Sequence, residues 1–153
     1  MTKARRLACW SVGACVLVSV LGIGGRVWSR ASYHRAIDAL NVEDYPTAER
    51  RLRLLAKLGH SESQYHLGLM YALGWGVARN DEEAIRWFRR AHVDPAHPGD
   101  AAAPAEYYAG QHFEEGLGVS KDPAEARKWY ERAAAGGFAK ARERLAVMDD
   151  PSR

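Results

Sequence analysis

The chain has 153 residues and a mass of 17.0 kDa, which fits one domain and excludes a large multidomain enzyme. With 47% apolar and 27% charged residues it has the make-up of a globular chain, and neither wholesale disorder nor a polytopic membrane protein fits. The net charge of +3 comes from residues 1–30, where Lys3, Arg5, Arg6, Arg26 and Arg30 face no acid; the remainder sets 17 bases against 19 acids, which excludes a domain that binds nucleic acid through phosphate neutralisation.

Leu7 to Gly25 reads LACWSVGACVLVSVLGIGG, without a charge and preceded by three bases. Such a run is long enough to span hydrocarbon as a helix, and residues 1–30 are therefore assigned to an N-terminal membrane anchor or signal sequence. The small-residue sites a signal peptidase would need, Gly22-Ile23-Gly24 or Ser29-Arg30-Ala31, are poor, and Arg26 follows the run directly. An uncleaved transmembrane helix is favoured, inserted with the short N-terminus inside and the domain in the periplasm. A cleaved signal with a periplasmic or secreted domain is the alternative. Both cysteines, Cys9 and Cys15, lie in this run, so the rest of the chain has neither a disulfide framework nor a zinc-thiolate site. Val12-Gly13-Ala14-Cys15 is similar to a lipoprotein box, but the apolar stretch before it is too short.

Residues 31–148 are expected to be all-α, as antiparallel hairpins. The first, over 31–58, is carried by Ala36, Leu40, Asp44-Tyr45, Ala48, Leu52 and Leu55. A first repeat follows over 59–93, then an inserted loop over 94–104 rich in proline and alanine, a second repeat over 105–136, a capping helix over 137–148 and a tail over 149–153. The repeat is visible at an offset of 42: Gly68 meets Gly110, Tyr71 meets Phe113, Gly74 and Gly76 meet Gly116 and Gly118, Ala84 meets Ala126, Trp87-Phe88 meets Trp129-Tyr130, and Ala91 meets Ala133. In the second helix of each unit, helix B, the apolar residues fall at i, i+3, i+4 and i+7, one buried face. Asn80 with Glu83, and Asp122 with Pro123 and Glu125, predict capped starts in which the carboxylate reaches back. The first helix, helix A, carries Leu67, Met70 and Tyr71, then Tyr107, Gly110 and Phe113, and is expected to end at Gly74 and Gly116. Gly68 and Gly110 each cost helix A about 1 kcal/mol relative to alanine, so they predict close approach by the bulky aromatics of helix B.

Leu67-Gly68, Tyr71, Gly74-x-Gly76-Val77, Ala84, Trp87-Phe88 and Ala91, with their counterparts in the second unit, resemble the Sel-one-like repeat family, relatives of the tetratricopeptide repeats. The hairpin over 31–58 is more like a tetratricopeptide unit. The resemblance implies an α/α solenoid that follows the N-terminal transmembrane helix and binds a protein or peptide in a concave groove lined by helix A. Counted from the two helix A glycines, the groove positions are Tyr65, Leu69, Ala72 and Leu73, then Tyr107, Gln111, Glu114 and Glu115. The two tyrosines either supply contact area for a partner or fill the seam between helices A and B. Glu114 and Glu115 favour a basic segment in the partner.

The chemistry-bearing residues do not assemble into a catalytic set. Gly74-x-Gly76 and Gly116-x-Gly118 lack the preceding strand and the Lys-Ser/Thr of a phosphate loop. His92, Asp94, His97 and Asp100 have no zinc spacing, and His60, His66 and His112 have no nucleophile beside them. The chain is expected to be a non-enzymatic interaction module with no cofactor, no metal, no nucleic acid and no small-molecule substrate. It would act as a tethered adaptor or regulator in a bacterial envelope. An immunity or inhibitor protein that neutralises a toxic enzyme is the second reading, and an envelope hydrolase the third.

Overall fold

The computed structural model describes residues 30–91 and 102–150, and every regular element among them is helical. α1 covers residues 30–41, α2 Tyr45–Lys57, α3 Ser61–Leu73, α4 Asp81–Ala91, α5 Ala102–Glu115, α6 Pro123–Ala135 and α7 Ala139–Met148. Short connections and direct packing make antiparallel hairpins of α1–α2, α3–α4 and α5–α6, and α7 stacks on α6. The apolar run Leu7 to Gly25 and the group His92, Asp94, His97 and Asp100 lie outside the described residues. Among the described residues no helix is long and apolar enough to cross a membrane.

Two expectations are corrected at helix starts. The loop expected over 94–104 is shorter, because Ala102, Ala103 and Pro104 are already the first turn of α5. A proline is tolerated there, since its missing N–H is one that a helix start leaves without an intrahelical partner. The caps are also simpler than a reciprocal box. Asn80 Oδ1 accepts from the Glu83 N–H at 3.0 Å, and Asp122 Oδ1 accepts from Ala124 and Glu125 at 3.1 and 3.0 Å. The carboxylates do not reach back, because the N–H of Asn80 already donates to the Tyr71 carbonyl and that of Asp122 to the Phe113 carbonyl, at 2.9 and 2.8 Å. Glu83 and Glu125 pair instead with Arg86 and Lys128, one turn on.

The glycines explain how the units fit. A Cβ on Gly68 would stand 2.5 Å from the ring of Phe88, and one on Gly110 would stand 2.6 Å from the ring of Tyr130, so the second aromatic of each Trp-aromatic pair lies on bare helix A backbone. The second glycine of each Gly-x-Gly turn has a different task. Gly76 abuts Tyr45 and Gly118 abuts the Asp81–Glu82 backbone, each with a left-handed φ of 68° or 67°, so every turn docks on the start of the preceding helix B. The core is accordingly shared between neighbours. Ala36, Leu52, Ala56, Leu67, Met70 and Trp87 form one cluster across α1 to α4; Ile85, Phe88, Ala105, Ala109 and Trp129 join α4, α5 and α6; Tyr130, Ala133 and Ala141 dock α7. Burial between adjacent units is the stabilising term of a solenoid. Buried Gln64 adds a fixed polar stitch, its side-chain amide donating to the Ala56 carbonyl at 2.9 Å.

Candidate partner-binding face

α3 packs directly on α5, more closely than the outer helices α2, α4 and α6 meet one another, so the A helices line the inner side of the stack. Equivalent positions on these helices recur. Tyr65 and Tyr107 correspond at the offset of 42, and Tyr33 precedes Tyr65 by 32, because the α1–α2 turn has three residues (42–44) where the α3–α4 turn has seven (74–80). The neighbouring position carries His34, His66, Tyr108 and Arg144, and the next turn carries Ile37, Leu69, Gln111 and Val147.

The rings among them, Tyr33, Tyr65, His66, Tyr107 and Tyr108, make a continuous aromatic band that ends on Phe138. Ring centroids are 5.9 Å apart for Tyr33 and His66, 5.1 Å for His66 and Tyr65, 6.0 Å for Tyr65 and Tyr108, 5.7 Å for Tyr108 and Tyr107, and 5.1 Å for Tyr107 and Phe138. Every one of these rings is partly buried, with one side on the core and one towards solvent. Tyr65 touches Phe88 at 6.3 Å and Tyr107 touches Tyr130 at 5.5 Å, so both tyrosines serve the seam and the surface together. Burial, then the charge and hydroxyl of Tyr108, push the Tyr65 phenol up to about 12, and burial likewise raises Tyr107. Both phenols are neutral donors at physiological pH.

Leu69 packs partly on the core and Ala72 beside it, whereas Leu73 is 55% exposed at the end of α3. Gln111 donates from its amide to the Tyr107 hydroxyl at 3.3 Å. Glu115 is exposed. Glu114 is not offered to a partner: its carboxylate accepts from the Tyr130 hydroxyl at 2.7 Å and forms a two-point ion pair with Arg144 on α7. The Arg144 hydrogen bond first, and that of Tyr130 after the opposing effect of burial, hold Glu114 below the usual carboxylate range. Between α5 and α7 the same face opens into a shallow cleft of about 370 Å³ lined by Tyr107, Lys140, Glu143, Arg144 and Val147. Tyr33, His66, Tyr108 and the α7 positions join the face although the sequence reading omits them; the signal for Tyr108 is its place next to Tyr107, and for Tyr33 the short turn after α1.

Two of the described histidines have structural tasks. His60 caps α3, its Nδ1 accepting from the Ser63 N–H at 3.3 Å, and buried His112 meets the Leu117 carbonyl through Nδ1 at 2.9 Å. Burial lowers the basicity of His60, His66 and His112. Among the described residues no cluster of three or more His, Cys, Asp or Glu is arranged for a metal ion.

Fold and face together define an α/α-solenoid scaffold. The Sel1 repeat is matched over residues 61–91 and 103–138. A Sel1 repeat protein from Oxalobacter formigenes is similar at 35% identity and a TM-score of 0.67, over 78% of this chain and 88% of that one. A protective antigen of uropathogenic Escherichia coli strains that displays an SLR fold is similar at 30% identity and a TM-score of 0.70, over 80% of this chain and 26% of the antigen. Helicobacter pylori cysteine rich protein B, at 17% identity and a TM-score of 0.55 over 74% of this chain and 91% of that one, shares the fold. Comparison with curated proteins gives no match. The chain belongs to the Sel1-like repeat family, whose fold is a protein-interaction scaffold.

Proposed function

We propose that the chain is a membrane-tethered, non-enzymatic adaptor that holds a protein or peptide segment on its inner face, with the solenoid in the periplasm. The observation that carries the reading is the aromatic band. Rings needed only for packing within one hairpin would end at that hairpin, yet these run from Tyr33 on α1 to Phe138 at the head of α7 and stay partly exposed throughout. Tyrosines give rigid contact area with a polar tip, the chemistry enriched at interface hot spots. The face changes along its length from Leu69 and Leu73 to Gln111 and Glu115, which suits a partner segment whose apolar residues are followed by a basic one. The tether is supported by the uncharged run from Leu7 to Gly25.

A photo-crosslinking residue in place of Leu73 on the inner face, or of Leu54 on outer helix α2, tests the face directly, because the two positions are similarly exposed at 55% and 51%. Discrete adducts from position 73, and none of the same size from 54, are expected in intact cells. The same adducts from both positions would remove the inner face from the reading.

A further inference from the structure

The described residues of the solenoid are electrically polarised from one edge to the other. Its A–B turns form one edge, since Gly76 rests on Tyr45 and Gly118 on Asp81. The opposite edge contains the turns at 58–60 and 136–138: the Tyr33 ring lies 5.0 Å from His60, and Gly136 faces Ala103 at the start of α5. Among the described residues of this second edge Arg30, Lys57, Arg89, Arg90, Arg132 and Lys140 are exposed, with exposed Glu131, half-buried Glu62 and buried Glu106 as acids near them. On the first, Glu43, Asp44, Glu82, Glu115, Asp122 and Asp150 are exposed with Arg79 and Lys121. Helix dipoles favour bases in the last turns of α2, α4 and α6. They do not favour Glu115 in the last turn of α5 or Lys140 in the first turn of α7, so the polarity follows the edge and not the helix ends alone.

The N-terminal segment enters the described residues at the basic edge. Arg30 begins the described part of α1 there, five chain steps from Gly25 at the end of the apolar run. A chain covers at most about 3.6 Å per residue, which holds that edge within about 18 Å of the end of the run. Attraction of Lys and Arg to anionic headgroups acts over about one Debye length, roughly 8 Å at physiological ionic strength. We propose that this basic edge lies on the anionic lipid headgroups of the membrane the N-terminal segment enters, so that the helices stand upright and the aromatic inner face is presented side-on to the bilayer. The acidic edge points away from the same surface. The segment joining α4 to α5 brings two acids in sequence, Asp94 and Asp100, and is left unchanged in the test.

The orientation rests on the tether reading, and one experiment separates the two. The full chain, with Cys9→Ala and Cys15→Ala, is labelled with a donor dye at Val42→Cys on the acidic edge or at Leu58→Cys on the basic one, positions 74% and 67% exposed. It is assembled into lipid nanodiscs carrying an acceptor headgroup. The thirteen residues of α2 set the two labels about 20 Å apart. On discs rich in phosphatidylglycerol, energy transfer from position 58 is expected to exceed that from 42 several-fold. The difference is expected to collapse on pure phosphatidylcholine, in about 1 M salt where the Debye length is about 3 Å, and in Arg89→Glu with Lys140→Glu. Chains that enter neither kind of disc would overturn the proposal through its tether. Chains that enter both, yet transfer equally from 42 and 58 on anionic lipid, would overturn the orientation alone and return the basic edge to acidic soluble partners.

Discussion

Two glycines and two rings decide how tightly each hairpin closes. Alanine at position 68 or 110 would gain about 1 kcal/mol of helix propensity if the site were open. It is not open. The added Cβ would lie 2.5 Å from one atom and 2.7 Å from the next on the Phe88 ring, or 2.6 and 2.7 Å from the Tyr130 ring, and each ring is fully buried. Neither ring can swing into solvent without giving up its place in the core. Overpacking of this kind costs about 1 to 3 kcal/mol, which outweighs the propensity gain. Gly68→Ala and Gly110→Ala are therefore expected to lower the midpoint of urea unfolding, and each to be partly rescued when the facing ring is replaced by a smaller aliphatic side chain, Phe88→Leu and Tyr130→Leu respectively. Unchanged or raised midpoints in the single variants would mean that the hairpins have slack at these contacts.

Among the elements, α7 is held differently from the others. It buries only Ala141 completely, with Leu145 and Met148 partly covered, so its apolar contribution is small. Polar groups add to it: Glu114 on α5 binds both Tyr130 on α6 and Arg144 on α7, and Arg127 on α6 pairs with Asp149 just beyond the end of α7 at 2.7 Å. In the first unit Ala72 and Phe88 stand where Glu114 and Tyr130 stand in the second, so the polar set belongs to the terminal helix. Arg144 is 40% exposed and solvent screens its pair, so Arg144→Met is expected to cost about 0.5 to 1 kcal/mol. Amide exchange should rise within α7 while α3 and α4 keep their protection, because neighbour contacts are local in a solenoid. A uniform rise across all helices would mean that α7 unfolds only with the whole. The starts of α4 and α6 and their shared face were legible in the sequence, since cap residues and the i, i+3, i+4, i+7 spacing act locally, whereas the start of α5, which has no such cap residue, was not. Glu114 was not: its spacing places it on the open groove, and nothing local shows Arg144 returning from 30 residues on.

At the scale of the whole molecule, the repeat was readable because its packing needs unlike residues at fixed offsets, and glycine, tryptophan and alanine cannot substitute for one another there. The continuity of the aromatic face was harder to read. An offset taken from the B helices misplaces α1 by the four residues that its shorter turn omits, which hides the correspondence of Tyr33 with Tyr65. The same correspondence supplies a pH test, because Met70 holds in the first unit the place of His112 in the second, and both are buried. Burial lowers His112, outweighing the Leu117 hydrogen bond and the carboxylates of Asp81 and Glu115, and burial also lowers His60 and His66. For a histidine whose folded pKa lies below its unfolded value of 6.5, the unfolded chain binds more protons across that window. Stability is therefore full above pH 6.5 and is lost as the pH falls from there through the folded values. Glu114 adds a second loss further into acid, since its folded pKa is also depressed and its ion pair disappears as the carboxylate is protonated. His112→Met replaces the titrating ring by the residue that the first unit already packs at this position. The wild-type melting temperature is expected to hold between pH 8 and 7 and to fall steadily from about pH 6.5, while His112→Met falls less over the range between about 6.5 and 5 and converges on the wild-type slope only where Glu114 is protonated. Parallel profiles for the two proteins would show that His112 takes up its proton in the folded chain without cost.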